Sequence, residues 1–297
     1  MKFCGIQGFL YLKSCICPRA NAWWLYIFNK GCVILKFGVD LDILPNLKEN
    51  VRQIEECEKL GFDSVWFPDH LLFTRMDATA PDIWSILTVA GGTTSRITLG
   101  SAVSDPHRIH PAVFAQRLAT INHLVGERVI LGLGAGEAMN LDPFGVRWSM
   151  PVSRMVEAVE VMRRLWESDP KNPVNYDGKF FKLRNAYLQI KPRGRIPIYI
   201  GANSPKTRKI TGEVGDGWLP AYLPAKTYES YLKEVREASK RKVEACLLVF
   251  ASIDENADLA LNALKPIKYI IAWPFELEKM GYKVPEEFRD LSYPKLL

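Results

Sequence analysis

The chain has 297 residues, 48% of them hydrophobic, which is enough for one α/β barrel of roughly 250 residues with a full core. The formal charge is +6, but Lys2, Lys13, Arg19 and Lys30 meet no acid in the first 34 residues, so the remainder holds 35 basic against 33 acidic residues. A near-neutral body argues against nucleic acid as a partner, and the two cysteines beyond residue 34, Cys57 and Cys246, make no disulfide framework, which points to the cytoplasm.

The segment "NAWWLYIFNKGCVILKF" is aromatic but broken by Asn29, Lys30 and Gly31. It falls short of the roughly 20 apolar residues that span a bilayer, and it lacks a signal-peptide cleavage pattern. Residues 1–34 read as an N-terminal extension, best explained by a start site placed too early; an interfacial anchor and a capping segment are the alternatives. No membrane association is expected. Residues 35–297 read as one barrel domain, incomplete at its C-terminus.

From Leu35 short apolar runs alternate with amphipathic ones. "LKFGVDL" is the first strand. "NLKENVRQIEECEKLG" follows with Leu47, Val51, Ile54 and Leu60 near one helical face, ended by Gly61. "DSVWF" is the second strand, and Pro81 opens the helix "PDIWSILTVAGGTT". "ITLGSAV" leads to a helix opened by Pro111, and "RVILGLG" to a helix that Ser153 can cap. "VNYDGKFFKLRNAYLQIK", with Asp177-Gly178 as its turn, reads as an inserted hairpin near 174–190. "IPIYIGA" precedes a helix opened by Pro205, "GWLPAY" is short and extended, and "EACLLVFASI" precedes "NADLALNAL".

Seven β-then-α units argue for a parallel sheet with helical crossovers, a TIM-like (β/α)8 barrel lacking its C-terminal eighth unit. The Pro-broken end "MGYKVPEEFRDLSYPKLL" gives no eighth pair. Either the chain is truncated, the N-terminal segment supplies a replacement strand, or the barrel stays open.

Barrel active sites lie where strands end and βα loops begin. Strand 1 ends at Asp40, and strand 2 offers Asp69 and His70. A histidine beside an aspartate can be oriented or charged by it and titrates near neutrality. His107 and His110 follow strand 3, but their spacing does not match a helical i, i+4 ligand pair, so no metal site is expected. Gly132-x-Gly134-x-Gly136 ends strand 4 in "VILGLGAGEAMN". A dinucleotide fingerprint is GxGxxG on a first strand, so these glycines are better read as allowing a flat ligand close or an unusual φ/ψ. Glu137 then points into the barrel mouth or caps a turn. "GANSPKTRK" offers helix N-terminal amides for phosphate, with a plain capped helix as the alternative.

"GFDSVWFPDHLL", "LGSAVSDPHRIHPAVFAQ", "VILGLGAGEAMN", "EAVEVMRRLWES" with "VNYDGKFFKL", and "IPIYIGANSPKTRKITGEVGDGW" together resemble the bacterial-luciferase-like superfamily, in its coenzyme F420-dependent oxidoreductase branch. The resemblance covers residues 35 to about 255. It implies a deazaflavin in the barrel mouth and hydride transfer to or from a small organic substrate, as in methylenetetrahydromethanopterin reductases and alcohol dehydrogenases. It implies His70 and Glu137 as the catalytic pair. It implies cofactor contacts from Asp69, Ala102, Val103, Ala135, Gly136, Asn140, Gly201, Ala202, Asn203 and Ser204, with a non-prolyl cis peptide at Ala102-Val103. A homodimer is expected. The sugar-phosphate branch keeps a Thr and a Lys where this chain reads "GWLPAYLPAK", so glucose 6-phosphate is not the expected substrate. The rival readings are an FMN-dependent monooxygenase and a non-catalytic or truncated relative.

Overall fold

The computed structural model describes residues 7–14, 33–73, 79–252 and 254–264. Its strands are β1 (Gln7–Ser14), β2 (Val33–Asp40), β3 (Ser64–Phe67), β4 (Thr98–Ser101), β5 (Val129–Leu133), β6 (Val174–Asp177), β7 (Lys182–Ala186), β8 (Ile198–Ile200), β9 (Gly217–Trp218) and β10 (Glu244–Phe250). Its helices are α1 (Leu47–Lys59), α2 (Ile83–Thr93), α3 (Pro111–Val125), α4 (Ala138–Leu141), α5 (Pro151–Glu167), α6 (Pro205–Val214), α7 (Ala225–Glu237) and α8 (Ala257–Leu264).

The ring order is β1-β10-β9-β8-β5-β4-β3-β2. Seven strands run parallel, joined by helical crossovers, as the alternating pattern predicts. The eighth place belongs to β1, antiparallel to both neighbours, with Leu10 opposite Phe37 and Leu247. The N-terminal segment therefore takes the place for which the sequence offers no eighth βα unit, and β2 and β10 are both paired. The end of the chain from 265 lies outside the described residues. The hairpin β6–β7 stands apart as its own two-stranded sheet, as expected. Its connection is longer than an Asp-Gly turn, closing with the Gly178 amide on the Phe181 carbonyl.

Two helix starts differ from expectation. Asp82, not Pro81, stands before α2 and its carboxylate accepts from the Ser85 amide at 3.1 Å. α5 starts at Pro151 with Met150 before it, so Ser153 lies inside the first turn rather than capping it.

Alternation along the strands sorts the core into two layers. Val65 and Phe67 face outward into the large cluster under the helices, while Trp66 faces the barrel interior with Tyr199, Leu219, Cys246 and Leu248. Trp66 and Tyr199 stack at 6.0 Å between centroids and fill the barrel below its mouth. Neighbouring strands make room for them: a Cβ at Gly100 would sit 2.4 Å from the Trp66 ring, and one at Gly217 2.4 Å from that of Tyr199. Large residues facing glycines fill a small barrel without voids.

α2 and α3 depart from the amphipathic norm. α2 carries no charged residue, and its Val89 is 58% exposed; on α3, Val113 and Leu124 are 52% and 64% exposed. No helix among the described residues is long and apolar enough to cross a membrane.

Candidate active site

A cavity of about 300 Å³ opens at the C-terminal ends of the parallel strands. It gathers Asp69 and His70 after β3, Ala102 and Val103 after β4, Ala135, Gly136, Glu137 and Asn140 after β5, and Gly201, Ala202 and Asn203 after β8. The loop positions singled out on four separate strands thus meet in one place. Ser204 is outside this lining; its Oγ closes a capping box with Thr207 at the start of α6. Leu219, Ala221 and Leu248 add an apolar wall. Sequence reasoning missed this wall because apolar residues at strand ends look like any core residue.

The peptide between Ala102 and Val103 is cis. Val103 lies between two glycines: a Cβ on Gly134 would approach its Cγ2 to 2.5 Å, and one on Gly201 its Cγ1 to 3.1 Å. The three glycines of β5 have distinct reasons. Gly132 lies against the Ser101 carbonyl, which a Cβ would meet at 1.8 Å. Gly134 makes room for Val103. Gly136 has φ +73°, a left-handed conformation that side chains disfavour.

Asp69 is buried and fully engaged. Its Oδ2 accepts from Ser104 Oγ at 2.5 Å, and its Oδ1 pairs with Arg108 Nη2 at 3.2 Å. Ser104 Oγ in turn accepts from Trp84 Nε1 at 3.1 Å. The expectation that Asp69 orients His70 is therefore corrected: both Asp69 oxygens are engaged elsewhere, by Ser104 and by Arg108. His70 Nδ1 is buried without a hydrogen-bond partner among the described residues, and its ring lies 4.8 Å from that of Phe73.

Asn140 Oδ1 accepts from the amides of Leu71 and Leu72 at 2.7 and 3.2 Å, tying the His70 loop to α4. Glu137 occupies the position before α4 but makes no side-chain capping bond there. The Ala135 carbonyl accepts from His107 Nε2 at 3.2 Å and from Trp148 Nε1 at 3.1 Å, which pins the loop carrying Glu137. His107 is held below the usual histidine range, first by burial, which outweighs the charge of Asp105. His110 sits elsewhere, accepting from the Ala112 amide at the start of α3. His107 and His110 therefore do not converge. Asn203 exchanges hydrogen bonds with the Ala221 backbone, and its side chain braces the loop before α6.

One further buried acid lies outside this lining. Asp40 ends β2 on the interior-facing side shared by Gly38, and its Oδ1 is buried without a partner among the described residues. Burial, with help from Asp42, pushes its carboxyl well above the usual range. Its signal in the sequence was position alone, the last residue of the first barrel strand.

The arrangement is a parallel barrel with titratable groups and a glycine-lined cavity at its C-terminal mouth, where α/β-barrel enzymes carry their active sites. The chain belongs to the luciferase-like monooxygenase family, whose profile matches residues 32–290. It is 35% identical over 258 residues to a 5,10-methylenetetrahydromethanopterin reductase of Archaeoglobus fulgidus, covering 83% of this chain and 74% of that one. It is 33% identical to an F420-dependent glucose-6-phosphate dehydrogenase of Mycobacterium tuberculosis, covering 81% and 78%. Among solved structures, an F420-dependent secondary alcohol dehydrogenase in complex with an F420-acetone adduct superposes with a TM-score of 0.70 at 30% identity, covering 84% and 82%.

Proposed function

We propose that this chain is an F420-dependent oxidoreductase that moves a hydride between the deazaflavin and a carbon–nitrogen or carbonyl centre of a small substrate. The observation that carries this reading is the slot at Val103, where Gly134 and Gly201 withhold the side chains that would crowd a flat ring, together with two relatives whose names state F420 dependence, the glucose-6-phosphate dehydrogenase and the secondary alcohol dehydrogenase. The residues present fit such a group. Ala102, Val103, Ala135 and Gly136 would face the ring, and Gly201, Ala202 and Asn203, with Ser204 beside them, the phosphate-bearing tail. When bound, F420 supplies or accepts the hydride.

The chain's own groups then manage orientation and protons. The slot fixes ring and substrate together, which removes much of the entropic cost of meeting. His70, in the cavity wall, exchanges a proton with the substrate oxygen or nitrogen. Glu137 holds the proton of the ring nitrogen. Asp40, whose carboxyl pKa is raised by burial, lies on the interior side of β2, outside the cavity lining. Asp69 contributes by holding its loop. The stretch "GWLPAYLPAK", where the sugar-phosphate branch keeps a Thr and a Lys, favours a substrate without a phosphate and distinguishes the proposal from sugar-phosphate oxidation. The uncharged α2 and the exposed Val89, Val113 and Leu124 support a homodimer built on the α2–α3 face, where the one cation of α3 outside its histidine, Arg117, is paired with Asp82 at 3.9 Å. A cytoplasmic setting follows from cysteine usage.

Turnover tests the proposal. Reduced F420 is mixed with methylenetetrahydromethanopterin or with acetone, and its oxidation is followed by absorbance and fluorescence. Substrate-dependent oxidation without oxygen uptake is expected. Oxygen consumption with FMN, and none of this transfer with F420, would replace the reading by a monooxygenase.

A further inference from the structure

The loop after β4 packs an uncommon charge arrangement against the loop that carries His70. Arg108 is only 10% exposed, and its guanidinium spans three acceptors. Nη2 donates to the Asp69 carbonyl at 2.7 Å and faces Asp69 Oδ1 at 3.2 Å, while Nε donates to Asp105 Oδ2 at 2.5 Å. Asp105 Oδ1 in turn accepts from the amides of His107 and Arg108 at 2.8 and 3.3 Å, which folds the 105–108 turn back on itself. Both carboxylates are 6% exposed. The Asp69 carbonyl belongs to the peptide that leads into His70, so the guanidinium grips the backbone directly before that histidine. Asn140 grips it directly after, through the Leu71 and Leu72 amides. Among the described residues His70 has no side-chain hydrogen bond at Nδ1 to fix its ring.

We propose that Arg108 is a positioning residue for the reaction: through the Asp69 carbonyl and carboxylate it sets where the His70 ring stands in the cavity. The inference rests on the role given to His70 under the proposed function. A planar fork suits this task and an ammonium does not, because only the guanidinium reaches three acceptors in fixed directions. A charge alone would neutralise the acids without fixing the peptide.

The test separates the fork from the charge. Arg108→Lys keeps the positive charge between Asp69 and Asp105, so the fold and F420 binding should hold to within about threefold of wild type, while kcat falls about tenfold with KM little changed. Arg108→Gln combined with Asp105→Asn keeps the local charge balance should the lysine variant fail to fold, and the same fall is expected. Backbone hydrogen exchange, which needs neither cofactor nor substrate, should rise in Arg108→Lys at the amides of 70–72 and stay unchanged in α3. The deciding comparison is the His70→Ala background, assayed with whichever of methylenetetrahydromethanopterin or acetone supports turnover. There Arg108→Lys should lower kcat no further. An equal fall in both backgrounds, or a full kcat in Arg108→Lys alone, overturns the positioning role while His70 stands. Full turnover in His70→Ala alone overturns the role of His70 first, and the inference with it.

Discussion

Replacing Gly134 by alanine separates the ligand slot from the fold. The new Cβ would lie 2.5 Å from Val103 Cγ2, about an ångström inside the usual carbon–carbon contact. The backbone cannot recede. The Gly134 amide donates to the Ser104 carbonyl at 2.8 Å, and the Ser104 amide to the Gly132 carbonyl at 2.8 Å. Val103 must turn instead, and beside it lies the cavity rather than packed protein. An off-rotamer valine costs about 0.5–1.5 kcal/mol, so the free protein should lose little stability. With a flat ring in the slot the displaced methyl has nowhere to go. Overpacking of about 1–3 kcal/mol then weakens binding about 5- to 150-fold. Gly132→Ala is the control: its Cβ would meet the Ser101 carbonyl oxygen at 1.8 Å, a backbone atom that cannot rotate away, so the fold itself should suffer. Thermal melting and F420 fluorescence titration of both variants read the difference. A Gly134→Ala protein that binds F420 like wild type, or that melts as early as Gly132→Ala, would refute the slot.

Other expectations follow from the same geometry. Asp40 is raised in the fold above the roughly 3.9 of a free aspartate, so its contribution to stability is complete below that pH and is lost as pH rises toward its folded value. Asp40→Asn should therefore melt higher than wild type at neutral pH and converge with it near pH 4. Glu58 behaves oppositely. Partial burial raises it, but the amides of Ile97, Ser95 and Arg96 outweigh this and bring it to about 2. Its stabilisation is present above the usual glutamate range and is lost as pH falls toward 2, and Glu58→Gln should cost about 1 kcal/mol, since the site is open to solvent. Val89→Glu with Leu124→Glu should convert a dimer to a monomer in light scattering coupled to size exclusion; an unchanged mass would place the dimer contact elsewhere.

The order of strands and helices was legible because alternation and helical spacing are local signals. So were the residues of the mouth, because a parallel barrel brings its strand ends together wherever they fall in the chain. Three things were not. β1 pairs residues 7–14 with strands near 40 and 250, and no local pattern encodes such a register or its antiparallel sense. Arg108 reaches Asp69 across 39 positions, so its fork was invisible beside the histidines that flank it. Asp69 and His70 looked like a working pair because they are adjacent, although the Asp69 carboxylate is taken by Ser104 and by Arg108, partners distant in the chain. The expected Ser153 cap failed for a similar reason: Pro151 starts the helix earlier.

Fluorescence titration of the purified protein with F420, run beside FMN, tests the central claim most directly. The account predicts saturable F420 binding in the micromolar range, weakened in Gly134→Ala, with FMN binding much more weakly. Absence of F420 binding, or preference for FMN, would contradict it.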